Sequence, residues 1–297
     1  MVHLPADVAR ARAHQLAVVS AAAVHAAERV LPRLPSALVR PVAQVLGTLA
    51  YAVSPGARDA VRANLQVVAP DRASGSLVRQ IFAEQSRNYL EIFRLSRTDA
   101  ATLRATIEKR GWEHFTTAEA RGKGVILASA HLGPISVVGQ VLVAFGYQTV
   151  LPVEIEHSEV QRAVNRARAA MGLQLVRADT PMAVVRALRE GKVLGLLADR
   201  AVTGVGERMP FFGADALIPS AHIALGLRIG VPVIPAFSLR LGRALVASFE
   251  PPLDLRSTGD READVRAGVA QWAKVLETYV RRYPEQWTVF ERVWSAP

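Results

Sequence analysis

Residues 122–136 read GKGVILASAHLGPIS, and the largely apolar run VILASA (125–130) at their centre decides the fold. A short run rich in β-branched and small apolar residues, opened by glycines and closed by a Gly-Pro turn, has the length and texture of a strand buried on both faces. Five further runs share that texture: YQTVLPV (147–153), LQLVRA (173–178), KVLGLLA (192–198), VPVIPAFSL (231–239) and RALVASFEPPL (243–253). Helix-patterned segments at 135–145, 158–171, 181–190, 220–229 and 261–282 separate or follow them. Strands alternating with helices predict an α/β fold with a central, mostly parallel sheet covered by helices. Upstream, from Ala6 to about Ile107, apolar residues recur at helical spacing with breaks at Pro32, Pro35, Pro55, Pro70 and Gly75, so this part is expected to be all-helical. The expected organisation is an N-terminal helical, membrane-associating segment over 1–107 and a catalytic core over 108–297.

The composition narrows the chemistry. With 297 residues and 51% apolar content the chain can bury a full core. Cysteine is absent, which removes disulfides, thiolate zinc sites and a cysteine nucleophile together and fits a reducing setting. Thirty-six Lys and Arg against 26 acids leave a net charge of +10, which favours an anionic partner, either nucleic acid or a phospholipid surface. Basic residues are not interleaved with aromatics as a nucleic-acid platform requires, so no nucleic acid is expected. The first 35 residues lack the order of a secretory signal and are read as mature protein. The uncharged stretch Pro41 to Ala57 is broken by Gln44, Gly47, Ser54 and Pro55 and has fewer than the roughly 20 apolar residues of a spanning helix, so none is expected. The Ala-rich segments Gln15 to Ala27 and Val39 to Val53 fit interfacial helices or helices packed on the core.

Two places carry candidate chemistry. The 125–130 strand delivers His131 to a small-residue turn, and reactive groups in open α/β sheets gather at such carboxyl ends. Imidazole titrates near neutrality and can serve there as a general base. The second place follows the 192–198 strand: Asp199 and Arg200, a turn containing Gly204, Gly206 and Glu207, and then Pro210-Phe211-Phe212-Gly213. Two loosely spaced glycines make neither a P-loop nor a dinucleotide fingerprint, and no G-x-S-x-G elbow surrounds Ser129, Ser136 or Ser220. Read alone, Asp199 with Arg200 is a strand-end ion pair, and the two phenylalanines plug the core.

HLG after a strand, followed by ADR and PFFG, strongly resembles the bacterial late acyltransferases of lipid A biosynthesis, and the phosphatidylinositol mannoside acyltransferases look closest. Asn64-Leu65, the helix around Asn88 to Arg94, GWEHF (111–115) and PEQWTVFERVW (284–294) extend the resemblance over residues 60 to 294. The resemblance implies a glycerolipid acyltransferase-like fold attached peripherally to the cytoplasmic face of the plasma (inner) membrane, an anionic surface. It also implies acyl-CoA or acyl carrier protein as donor, a glycolipid hydroxyl as acceptor, and neither metal nor cofactor. In the family an acid five positions after the histidine orients and charges it, and here that position is Ser136, which cannot offset an imidazolium charge. Residues five apart on a regular helix point about 140° away from each other, so His131 must lie in the turn before that helix. Glu154 matches a glutamate of the mannoside acyltransferases. Arg168, with Arg166 as rival, takes the place of the arginine near the acyl-transfer centre, and Glu207 matches the glutamate before the aromatic turn. Asp199, Arg200, Phe211, Phe212 and Gly213 are implied to contact substrate, and the PFFG turn with Val137 to Phe145 to wall the acyl chain. The implied chemistry is attack of a hydroxyl, deprotonated by His131, on the thioester, with Arg168 or backbone N–H groups holding the oxyanion. With Ser136 in place of the acid, a member of the same fold that has lost catalysis and binds lipid or a partner is the second reading.

Overall fold

A computed structural model describes residues 21–154, 156, 158–201 and 204–294; of the expected helical segment Gln15 to Ala27, residues 15–20 lie outside these. The chain opens with helices α1 (Ala21–Val30), α2 (Ser36–Val53), α3 (Pro55–Val68), α4 (Gly75–Leu95) and the short α5 (Ala100–Thr106). Prolines mark the breaks: Pro55 starts α3, where its missing N–H costs nothing, and Ser74 caps α4 by accepting from the Leu77 amide. Strand β1 (Ile107–Arg110), which has no counterpart among the expected strands, and helix α6 (Trp112–Glu119) lead into the core. There β2 (Val125–Ser129), α7 (Ser136–Ala144), β3 (Thr149–Val153), α8 (Glu159–Ala170), β4 (Gln174–Arg177), α9 (Pro181–Arg189) and β5 (Val193–Leu197) alternate. A hairpin of β6 (Glu207–Phe211) and β7 (Ala214–Ile218), α10 (Ala221–Ile229), β8 (Val233–Leu241), β9 (Ala244–Phe249) and α11 (Arg261–Arg282) complete the chain.

Seven strands form one sheet in the order β1-β9-β8-β2-β5-β3-β4, and every neighbouring pair is parallel except β8 with β9. Strand β2 is flanked by β5 and β8, so its carboxyl end opens at the middle of the sheet, where order reversals create crevices in such folds. Its residues Val125 to Ala128 are all buried, as helices on both faces demand.

One hydrophobic cluster joins Val61 and Leu65 of α3, Ile81 and Phe82 of α4, the sheet, and Trp272 and Leu276 of α11. The core therefore runs without a gap across residues 107 and 108. Helix α2 is attached differently. It buries only Val39, Ala43 and Gly47, a narrow strip at four-residue spacing. A Cβ on Gly47 would come within 2.5 Å of the Ala83 backbone, so glycine lets α2 and α4 touch along their main chains. The other side leaves Leu38, Val45, Leu46, Leu49 and Val53 exposed. Beginning at Ser36 rather than Pro41, this helix is long and apolar enough, by length and composition, to cross a membrane: 18 residues with mean hydropathy 1.3, of which 17% are buried.

Candidate active site

The register of the sheet assembles the site. Ser129 pairs with Leu197 and the Ala198 amide donates to the Ser129 carbonyl, so the residues that leave β2 and β5 emerge side by side. His131 thereby meets Asp199. The His131 Nδ1 lies 2.8 Å from Asp199 Oδ1, and the His131 amide donates to Oδ2 at 2.9 Å. Trp287 Nε1 donates to the same Oδ2 at 3.1 Å. Burial disfavours the charged form of Asp199, which is 1% exposed, but the adjacent His131, its hydrogen bonds and the Arg200 charge outweigh burial and hold the carboxyl near a pKa of about 2. An ionised carboxylate only accepts, so the shared proton sits on Nδ1 and leaves Nε2 as a lone-pair acceptor. Arg200 Nη2 donates to that Nε2 at 3.1 Å, while its Nη1 bonds Glu291 at 2.9 Å. The Arg200 Nε is buried without a hydrogen-bond partner. The His131 side chain keeps 20% of its surface open to solvent.

The turn carrying His131 is itself held from the far end of the chain. Leu132 and Trp287 form an isolated antiparallel bridge. The Gly133 amide donates to the Gln286 carbonyl at 2.8 Å, and both the amide and the hydroxyl of Thr288 donate to the His131 carbonyl, at 2.8 and 3.2 Å. Gly133 has φ +61°, and a Cβ there would fall 2.4 Å from the Ser238 carbonyl oxygen, so this position admits only glycine.

Ser136, at the start of α7, is buried, but the partners of the His131 ring are Asp199 and Arg200. The ring's acid thus comes from the neighbouring strand rather than from the helix that follows the histidine, and the missing acid at 136 leaves no gap in the dyad. Glu154 is exposed just beyond β3, at the same sheet edge but with β5 between its strand and β2. Arg168 lies among α8 and α4: it donates to Asn165 at 3.2 Å, Tyr89 stands beside it, and its Nε has no partner. None of these neighbours belongs to the His131 cluster, and Arg166 pairs instead with Glu28 at 2.9 Å. Glu207 opens β6 and is half-buried.

Phe211 is fully buried, stacked on Trp294 at 5.5 Å, and Phe212 with Gly213 forms the tip of the β6–β7 hairpin. Phe212 takes φ +53° there, its amide donates to Glu277, and Arg281 stacks over its ring at 4.9 Å. Val137, Val141 and Leu142 have no exposed surface, so Phe211 and this face of α7 are core rather than walls for an acyl chain. Gln286, Trp287, Thr288 and Glu291 were not among the expected site residues; PEQWTVFERVW marks them in the sequence without indicating that they reach His131.

Comparison with known proteins gives a consistent picture. The family described as bacterial lipid A biosynthesis acyltransferase matches residues 10–296. A phosphatidylinositol mannoside acyltransferase of Mycolicibacterium smegmatis is 28% identical over 255 residues, 83% of this chain and 82% of the relative. One from Mycobacterium tuberculosis H37Rv is 25% identical over 218 residues, 71% of this chain and 67% of the relative.

Proposed function

Because the chain belongs to the bacterial lipid A biosynthesis acyltransferase family, we propose that it moves a fatty acyl group from acyl-CoA or acyl carrier protein to a hydroxyl of a membrane glycolipid, with His131 as general base. The observation that carries this reading is the bond between His131 Nδ1 and the ionised Asp199, which leaves Nε2 as the basic atom. The acceptor hydroxyl takes the place of the Arg200 N–H at Nε2 and gives its proton to the ring. Its oxygen attacks the thioester carbonyl carbon, and Asp199 offsets the imidazolium charge as it forms. The tetrahedral intermediate then expels the thiolate, which recovers the proton from Nε2. In this reading Arg200, held at one end by Glu291, stabilises the developing oxyanion, the task the resemblance gave to Arg168 or backbone N–H groups.

The membrane part of the reading rests on α2. Its exposed Leu38, Val45, Leu46, Leu49 and Val53 are each worth about 1.5–3 kcal/mol when fully removed from water, and the net charge of +10 suits the anionic cytoplasmic leaflet. A glycolipid resembling the phosphatidylinositol mannosides or lipid A would meet the site from that surface.

The test is transfer of radiolabelled palmitate from palmitoyl-CoA to a membrane glycolipid extract, repeated with palmitoyl acyl carrier protein. Label in lipid with the native chain and none with His131→Ala is expected. Equal transfer by both proteins would remove His131 as the base; background transfer by both, with either donor, would favour a lipid-binding role for the same fold.

A further inference from the structure

Each polar member of the site is held by the segment 286–291. The His131 carbonyl accepts from Thr288, Asp199 accepts from Trp287, and Arg200 donates to Glu291. The segment is in turn fastened at two points distant from the histidine in sequence. The Gln286 side chain spans the Arg240 main chain on β8: its Oε1 accepts from the Arg240 amide and its Nε2 donates to the Arg240 carbonyl, both at 2.9 Å. Asn64, 3% exposed on α3, closes the other end. Its Nδ2 donates to the Glu291 carbonyl at 2.8 Å and the Val289 carbonyl at 3.4 Å, and its Oδ1 accepts from the Val293 amide at 3.1 Å.

We propose that Asn64 and Gln286 are positioning residues for His131, acting through the strap 286–293. Neither touches the imidazole. Each uses both donor and acceptor of a buried amide on main-chain groups, which fixes the strap's height and direction rather than merely filling space. The strap transmits that position through Thr288 to the His131 carbonyl, through Trp287 to Oδ2 of the Asp199 carboxylate whose Oδ1 orients the ring, and through Glu291 to the guanidinium at Nε2. Strap displacement therefore weakens the hold of Asp199 on the Nδ1 proton and loosens the aim of Nε2. A misplacement of about 1 Å at a reacting group can cost on the order of a hundredfold in rate. This inference rests on the assignment of His131 as base.

The experiment compares native protein with Asn64→Ala and Gln286→Met, using Asp260→Ala, which removes a cap at the start of α11 away from the strap, as a destabilised control. Histidine-selective ¹⁵N spectra, assigned with His131→Ala, read the tautomer without any substrate. The native protein is expected to show His131 protonated on Nδ1 alone, as is Asp260→Ala, while both strap variants show a mixture. In the palmitoyl-CoA assay kcat of the strap variants falls about ten- to hundredfold while the KM for palmitoyl-CoA stays within about twofold, measured at the same interval below each variant's Tm. Native tautomer and kcat in both folded variants would overturn the proposal, as would an equal loss in Asp260→Ala. If one variant fails to fold, the other decides. A native His131 not protonated on Nδ1, or a fully active His131→Ala, would instead defeat the base assignment and the proposal with it.

Discussion

His131 and Asp199 stand 68 positions apart in the chain and meet at 2.8 Å, because β2 and β5 lie next to each other and in register. The pairing places an ionised carboxylate on the side of the ring opposite the basic nitrogen. Asp199→Asn keeps the shape of the site but lets the amide donate to Nδ1, which fixes the unproductive tautomer. By analogy with the serine protease triad, kcat is expected to fall by up to about 10⁴. Ser136→Asp, by contrast, gives no gain over native turnover, since Nδ1 already has its acid. Steady-state transfer with palmitoyl-CoA checks both.

Acid is expected to weaken the fold before Asp199 titrates. His222 is buried, neither ring nitrogen has a hydrogen-bond partner, and burial pushes its pKa down to about 3. A histidine depressed in this way contributes stability that is complete above its unfolded pKa of about 6.5 and is lost as pH falls from there towards 3. Asp199, held near 2, adds a second loss between about pH 4 and 2. In urea unfolding from pH 7 to 4, His222→Leu should show a flatter stability profile than the native protein. It should also be no less stable at pH 7, since it removes two unsatisfied buried atoms.

Gly133→Ala is expected to disturb the site more than any other single methyl. The φ of +61° costs a side chain about 1–2 kcal/mol, and contact with the Ser238 oxygen forces the turn away from β8. A lowered Tm with a disproportionate loss of transfer activity is the expected pair of observations; retention of both would show that the turn has more room than its contacts imply.

The outer face of α2 is expected to govern membrane attachment. Leu49 is 59% and Val53 77% exposed, so Leu49→Glu with Val53→Glu should leave the Tm within a degree or two of native, since surface changes rarely exceed about 0.5 kcal/mol. The same pair should reduce co-flotation with vesicles containing an anionic phospholipid. Unchanged flotation would place the membrane contact elsewhere.

Much of this architecture is legible in the sequence because its signals are local. Val125 to Ala130 reads as a strand without knowledge of its neighbours, and the glycine and proline after His131 mark the turn. What escapes is set by pairing between distant segments. Nothing near Ser136 indicates that a carboxylate just past the end of β5 meets the ring, and Asp199 by itself reads as a strand-end ion pair. Phe211 and Phe212, read alone, both plug the core, yet hairpin geometry sends only the first there and puts the second at the tip. Asn64 and Gln286 were visible as parts of weak motifs, but their amides act on main chain contributed by other segments, which no local pattern records.

The hydrogen bond from Thr288 to His131 spans 157 positions and so has a temporal meaning during synthesis. At about 5–20 residues per second, the ribosome makes the histidine roughly 8–30 s before the threonine that holds it. A nascent chain that already carries β2, His131 and Asp199 lacks the part that aims them. On the proposed reading, acyl transfer would wait until residues 286–293 have emerged and docked, so an unfinished chain would have no formed catalytic centre to turn on the lipids around it.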